Sequence, residues 1–185
     1  MKKLVTCKEM KDLDSTTIRE IGVPSEVLME RAALKVVEET EKYLQKDERI
    51  LVVCGSGNNG GDGIAVARLF HLKGIRVEFY MVGNKDKMTR ETALQYKIAS
   101  GYRVPEVNNP QWSEYTTIVD AVFGVGLTRP IEGHYADIIH EMNSARAKKI
   151  AVDIPSGVNG DTGLEMGIAF SADLTVTFAY RKRGL

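Results

Sequence analysis

Ile50-Leu51-Val52-Val53-Cys54-Gly55-Ser56-Gly57-Asn58-Asn59-Gly60-Gly61-Asp62-Gly63-Ile64 is the stretch whose reading decides the fold. Its first five residues are all apolar and end on glycine, the pattern of a short strand buried on both faces. Ile64, Ala65, Ala67, Leu69 and Leu72 then suit a helix that Gly74 stops. Strand, turn and helix in that order open a parallel βαβ unit, and its turn sits at the carboxyl edge of the sheet, where ligands bind. A plain turn needs one or two glycines, whereas Gly55–Gly63 holds five glycines and two asparagines. Such a loop turns tightly and aims N–H groups outward at the positive end of a helix, so an anionic phosphate is its natural guest.

The alternation continues downstream. Ile75–Val82, Thr116–Val122, Ile150–Ile154 and Leu174–Phe178 read as strands, and Thr89–Ala99 and Ala136–Met142 as helices. The expected fold class is therefore α/β, three-layer and Rossmann-like, with a mostly parallel sheet, right-handed crossovers and helices on both faces. Upstream, Thr6 and Glu9 fit a capping box before Met10, Leu13, Thr17 and Ile18. Gly22-Val23-Pro24 ends that helix, and Ser25 is placed to cap a second one through Leu28, Met29, Ala32, Ala33, Val36, Val37 and Leu44. This N-terminal pair is expected to cover the sheet. No repeat or linker divides the chain, so 1–185 reads as a single domain.

Composition excludes several classes. With 185 residues, 43% apolar and 27% charged, the chain has the make-up of a globular domain with one sizeable core. Lys plus Arg and Asp plus Glu balance at 25 each, which favours neither nucleic acid nor a membrane surface as partner. Arg181-Lys182-Arg183 is the one basic cluster and reads as a solvated tail. No run approaches the ~18 apolar residues of a membrane helix, and charge interrupts the first residues too early for a signal peptide. Cys7 and Cys54 match no metal or disulfide pattern, so the expected location is cytoplasmic.

Two further strand ends carry polar loops. Asp120-Ala121-Val122-Phe123-Gly124-Val125-Gly126-Leu127-Thr128-Arg129-Pro130 offers an arginine for bidentate phosphate pairing and two glycines for close approach. Asp153-Ile154-Pro155-Ser156-Gly157 follows the next strand. Together the three loops gather Asn59, Asp120, Asp153 and Ser156, an oxygen-bearing set able to hold a hard cation or perform acid–base work. His71 reads as a helix-surface residue, and His134 and His140 as structural. Gly55, Gly57 and Gly60 also satisfy G-x-G-x-x-G, with Glu78 near the end of the next strand as a ribose-binding acid, so a dinucleotide oxidoreductase is the sharpest rival. Asp62 argues against it, because a carboxylate beside the phosphates repels them.

The ordered blocks Leu28-Met29-Glu30-Arg31-Ala32, Gly57–Gly63, Asp120–Pro130, Val152–Gly157 and Ala172–Phe178 resemble the YjeF N-terminal family, the NAD(P)H-hydrate epimerases. The resemblance implies an isomerase of nicotinamide nucleotide repair that interconverts the R and S forms of hydrated NADH and NADPH, so that a partner dehydratase can restore the cofactor. By position it implies that Asn58, Asn59, Gly60, Gly61 and Asp62, with Gly124, Val125, Gly126, Leu127, Thr128, Arg129 and Pro130, bind the hydrated dinucleotide, and that Asp153 also contacts it. It implies Asn59, Asp120 and Ser156 as side-chain ligands of a potassium ion (K+), and a homodimer. Asp153, the strand-end carboxylate outside that metal set, is then the candidate general acid–base. One departure stands out: family members carry proline and glycine after the lysine where this chain reads Lys182-Arg183-Gly184, and they continue into a further strand and helix. The expectation is a domain lacking that last strand and helix, shortened or cut from a fusion with the dehydratase. A non-catalytic interaction module of the same fold is the alternative reading, although such a module would be expected to lose the loop asparagines or Asp153.

Overall fold

The computed structural model describes residues 4–185, so the charged start Met1-Lys2-Lys3 lies outside the described residues. A five-stranded sheet is built from β2 (Arg49–Cys54), β3 (Arg76–Met81), β4 (Thr117–Ala121), β5 (Lys148–Val152) and β6 (Leu174–Val176). Its order is β3-β2-β4-β5-β6 and every pairing is parallel. β1 (Leu4–Val5) and β7 (Arg181–Lys182) form a separate parallel pair. The helices are α1 (Cys7–Arg19), α2 (Ser25–Glu41), α3 (Asn58–Leu72), α4 (Arg90–Gly101) and α5 (His134–Ser144).

The central strand behaves as its composition demands. Ile50, Val52 and Cys54 join one core with α2, α3 and Ala99 of α4, while Leu51 and Val53 join a second core with Ile139 and Met142 of α5. All five are fully buried, which is why the run shows no polar alternation. From β2 the chain steps outward to β3 through α3. It steps out once more through α4 to a single bridge between Phe79 and Glu106, held by Phe79 N–H on the Pro105 carbonyl and Val107 N–H on that of Phe79. It returns to β4 across the opposite face, where Trp112 and Tyr115 pack in the second core. The strand order reverses between β2 and β4, which makes their carboxyl ends the crevice at which an open α/β sheet binds ligands.

The N-terminal pair divides its work. α1 starts with the expected capping box: Glu9 N–H donates to Thr6 Oγ1 and Thr6 N–H to Glu9 Oε2 at 2.7 Å. Only Met10 of this helix is buried, so α1 lies beside the β1–β7 pair rather than over the sheet. α2 does cover the sheet core, against α3. Its N-cap is Pro24, not Ser25; the Ser25 hydroxyl turns instead to Glu91 of α4 at 3.1 Å. α2 also ends at Glu41, and Leu44 packs against the core from beyond it.

The basic cluster at 181–183 is not a solvated tail. β7 pairs with β1, with Val5 opposite Lys182, and Lys182 is only 1% exposed. A buried ammonium needs a counter-charge, and Lys182 finds one in Asp153.

Candidate functional site

The glycine-rich segment is mostly helix. α3 begins at Asn58, so only Gly55–Gly57 is loop and the remaining glycines lie in the first two turns. Four of the five glycines have packing reasons. A Cβ on Gly55 would meet the Val122 carbonyl at 2.2 Å, and one on Gly60 the Gly55 carbonyl at 1.8 Å. On Gly61 it would meet Met29 Cε at 2.8 Å, and on Gly63 the Ala121 Cβ at 2.4 Å. Without side chains there, α3 lies directly on β2 and β4 and beneath α2, which is how the Met29-Glu30 block of α2 reaches the loop. Glu30 adds an ion pair to the buried Arg68 of α3.

Gly57 differs, since a Cβ there would stand in open space. It is the N-cap of α3, has no side chain to cap with, and leaves that end exposed. Gly55 N–H donates to the Ala121 carbonyl at 3.0 Å, and Gly60 and Gly61 N–H to the Gly57 carbonyl at 2.9 and 3.3 Å, so the expectation of outward N–H groups throughout the loop does not hold for these three glycines. The N–H groups of Asn58 and Asn59, the first two of the helix, have no intrahelical acceptor. They and the helix dipole make this end attractive to an anion. The loop is braced from α4, where Thr92 Oγ1 donates to the Gly57 carbonyl at 2.9 Å and Thr89 N–H to that of Ser56 at 3.0 Å.

The second and third loops are tied together beside it. Ser156 N–H donates to Asp120 Oδ2 at 2.7 Å, and its hydroxyl donates to Oδ1 at 2.6 Å while accepting from Phe123 N–H at 2.8 Å. Val122 N–H adds a third bond to the same carboxylate at 3.1 Å. Asp120 is fully buried, and burial pushes its carboxyl up to about 6 against the opposing pull of these hydrogen bonds. The Asn59 side chain lies along Gly124, at 3.2 Å from where a Cβ would stand, and its buried amide nitrogen has no hydrogen-bond partner. The expected cation set of Asn59, Asp120 and Ser156 thus converges around the Phe123–Gly124 backbone. The side-chain oxygens of Asn, Asp and Ser are of the kind that suit a hard cation, and among the described residues no three His, Cys, Asp or Glu side chains gather as a metal site.

Asp153 follows β5 in a left-handed backbone conformation, φ 66°, with its N–H held by the Val176 carbonyl at 2.9 Å. Such strain in a non-glycine residue costs about 1–3 kcal/mol and collects at functional sites. Its Oδ1 accepts from Lys182 Nζ, from Thr177 Oγ1 at 3.1 Å and from Phe178 N–H at 3.3 Å. Asp62, in the first turns of α3, is partly buried; desolvation lifts its carboxyl well above the ordinary range, with Asp153 and Asp14 adding repulsion and Lys182 opposing them. In the second loop, Gly126, Thr128, Arg129 and Pro130 are exposed and Gly124, Val125 and Leu127 half-buried. The Arg129 guanidinium has no ion-pair partner among the described residues.

Several expected residues stand outside this cluster. Glu78, the acid of the dehydrogenase reading, pairs with Leu51 in register, and its Oε2 accepts from Arg49 Nη2 at 3.1 Å and the Tyr115 hydroxyl at 2.7 Å. It is spent on a network toward the amino edge. An open cavity of about 350 Å³ lined by Arg49, His71, Arg76 and Glu78 lies at that same edge, away from the three loops. His71 is half-buried on α3, while His134 and His140 are exposed on α5, where the His134 ring lies 6.2 Å from that of Tyr135. Sequence reasoning missed Lys182 and Thr177. The available signal was that the resembling family carries a lysine at the position of Lys182.

The chain matches the family described as YjeF-related protein N-terminus over residues 25–184. It is 46% identical over 182 residues to a protein of Limosilactobacillus fermentum named NAD(P)H-hydrate epimerase, covering 98% of this chain and 88% of that relative. Relatives of the same name from Oenococcus oeni and Levilactobacillus brevis are 49% and 47% identical, with 98% and 100% of this chain and 87% and 86% of theirs covered. The crystal structure of yeast ynu0, YNL200c, shares the fold with a TM-score of 0.87 at 23% identity, covering 98% of this chain and 82% of that one. Similar to these relatives along nearly its whole length, the chain belongs to the family of YjeF-related protein N-termini.

Proposed function

We propose that the chain is an isomerase that interconverts the R and S hydrates of NADH and NADPH. The observation that carries this reading is the conjunction, at one switch-point crevice, of an uncapped helix N-terminus and a strained, ion-paired aspartate. The first can receive the dinucleotide phosphates and the second can move a proton. Relatives matched by this chain over 86–88% of their length bear the epimerase name. The substrate carbon carries a hydroxyl and the ring nitrogen. Asp153 takes the hydroxyl proton, the carbon–nitrogen bond opens with its electron pair going to nitrogen, and the resulting aldehyde turns over. Reclosure on the other face returns the proton. Loss and return of water at the same carbon also moves a proton at that hydroxyl, and neither route needs an oxidant. A positioned acid–base group contributes about 10²–10⁴-fold.

Asn58, Asn59, Gly60, Gly61, Asp62 and the 124–130 loop form the proposed binding surface, with Arg129 free to pair with phosphate. Gly60 and Gly61 shape it by letting α3 approach, not by touching the ligand with free N–H groups. Potassium fits the Asn59–Asp120–Ser156 set: a side-chain amide rotates readily, so the unpartnered Asn59 amide can turn its oxygen to a cation. When bound, the ion would offset phosphate charge and order the three loops. The cytoplasmic location, the homodimer and the coupling to a dehydratase belong to the same proposal. Among the described residues no helix is long and apolar enough to cross a membrane, and both cysteines are free thiols.

The redox rival loses its acid to Arg49 and Tyr115, and a non-catalytic module has no need of a strained Asp153. The test is chiral chromatography of purified R-NADHX incubated with the protein. Conversion to the R/S equilibrium mixture faster than the spontaneous rate is expected, and an unchanged rate would refute the proposal.

A further inference from the structure

We propose that Lys182 and Thr177 are positioning residues that clamp one oxygen of Asp153, so that the other, Oδ2, is the oxygen presented to the reacting hydroxyl; this rests on the epimerase reading above. Three donors converge on Oδ1: the Lys182 ammonium, the Thr177 hydroxyl at 3.1 Å and the Phe178 N–H at 3.3 Å. No hydrogen bond from a described residue reaches Oδ2. A carboxylate tied at both oxygens is a structural ligand. Tied at one, and 8% exposed, it has a fixed direction and a lone pair to spend.

The clamp is built from outside β5. The chain leaves β6 at Val176, supplies Thr177 and Phe178, and turns through Ala179 at φ 53°. It then enters β7, whose pairing with β1 sets Lys182 opposite Val5. Lys182 is a lysine with 1% exposure. Its ammonium spends its three protons on Asp153, on Thr177 Oγ1 at 3.1 Å and on the Phe178 carbonyl at 3.3 Å. With all its donors used, the ammonium has no rotational freedom left, and that rigidity passes to the carboxylate. A surface ion pair has no such use for a buried lysine.

The experiment compares Lys182→Met, Thr177→Val and Ile139→Val with the wild type by steady-state epimerisation of R-NADHX, each variant checked for folding by circular dichroism at the assay temperature. Lys182→Met is expected to lower kcat about 10²-fold, the scale of misplacing a reacting group, with KM within about twofold of wild type. Thr177→Val, which keeps shape and loses two charge-assisted hydrogen bonds, the one donated to Asp153 and the one accepted from Lys182, should lower kcat roughly 3–10-fold with the same unchanged KM. Ile139→Val trims the buried second core under α5, away from the clamp, costs about 0.5–1.5 kcal/mol of stability and should leave kcat within about twofold. If Lys182→Met does not fold, Thr177→Val carries the test alone. Unchanged kcat in the clamp variants, or an equal loss in Ile139→Val, overturns the inference. Wild type without activity sinks the epimerase reading and this inference with it, whereas active wild type with unaffected clamp variants sinks this inference alone.

Discussion

Ser156 gives Asp120 both of its donors, the backbone N–H at 2.7 Å and the hydroxyl at 2.6 Å, across 36 residues of sequence. The bond locks the loop after β5 onto the end of β4. Ser156→Ala removes the hydroxyl from Asp120 and, at the same time, the acceptor of Phe123 N–H. Leaving such groups unsatisfied costs about 1–3 kcal/mol. The midpoint of urea unfolding should fall accordingly with an unchanged slope. An unchanged midpoint would mean that the lock contributes nothing.

If Asn59, Asp120 and Ser156 hold potassium, the ion binds the folded chain alone and stabilises it by mass action. Thermal melts in potassium chloride should then lie above those in sodium chloride of equal ionic strength. Asp120→Asn should erase the difference. Superimposable wild-type curves would remove the ion from the proposal.

Gly63→Ala and Gly57→Ala should part company. Alanine is the better helix former by about 1 kcal/mol, yet at position 63 its Cβ would stand 2.4 Å from that of Ala121 and 3.0 Å from Cys54 Sγ. Forcing α3 off the sheet costs about 1–3 kcal/mol, so Gly63→Ala should melt lower. At Gly57 the Cβ has open space and the backbone, φ −81° and ψ 179°, suits any residue. Gly57→Ala should melt only slightly lower, as alanine is a poorer N-cap than glycine, and should raise KM, because the methyl group would narrow the mouth of the proposed phosphate site. Equal melting losses in both variants would show that the close packing of α3 on β4 is not what requires glycine at 63.

Asp62 should cost stability at neutral pH. Its folded carboxyl is raised by desolvation first, then by Asp153 and Asp14. Between the ordinary carboxylate value of about 3.9 and that raised value, the folded state binds more protons than the unfolded one. Stability therefore falls as pH rises through this window and levels off above it. Asp62→Asn should flatten that part of the profile and melt higher than wild type at pH 7, at about 2–4 °C per kcal/mol recovered. Its epimerase activity should drop, since the position belongs to the proposed binding surface. A lower melting temperature at pH 7 would contradict the assignment.

Much of the architecture was legible because it rests on local signals. Period, capping and breakers located the parallel strands, α4 and α5 to within a few residues, whereas α3 starts at Asn58, inside the segment read as loop, and the apolar run 50–54 announced a strand covered on both sides. The three strand-end loops were legible as a group for the same reason: a parallel sheet brings all carboxyl ends to one edge. The glycine-rich segment was only half legible. Its glycines were read as ligand-facing, but steric demand from Val122, Met29 and Ala121, partners that come from other elements, accounts for three of them, and the carbonyl of Gly55 in the same loop accounts for Gly60.

By itself, then, the sequence determined the α/β class, the edge at which the site lies, and the oxygen-bearing residues gathered there, since these follow from periodicity and strand direction. The tertiary structure alone decided that Arg181-Lys182-Arg183 is no free tail, that Glu78 serves Arg49 and Tyr115, and that Asp153 is held by a single oxygen. The physical reason is the range of the forces involved. Helix and strand patterns are written within a few neighbouring residues, whereas the fate of a charge depends on which distant group shares its low-dielectric surroundings, and that is fixed only when β7 pairs with β1.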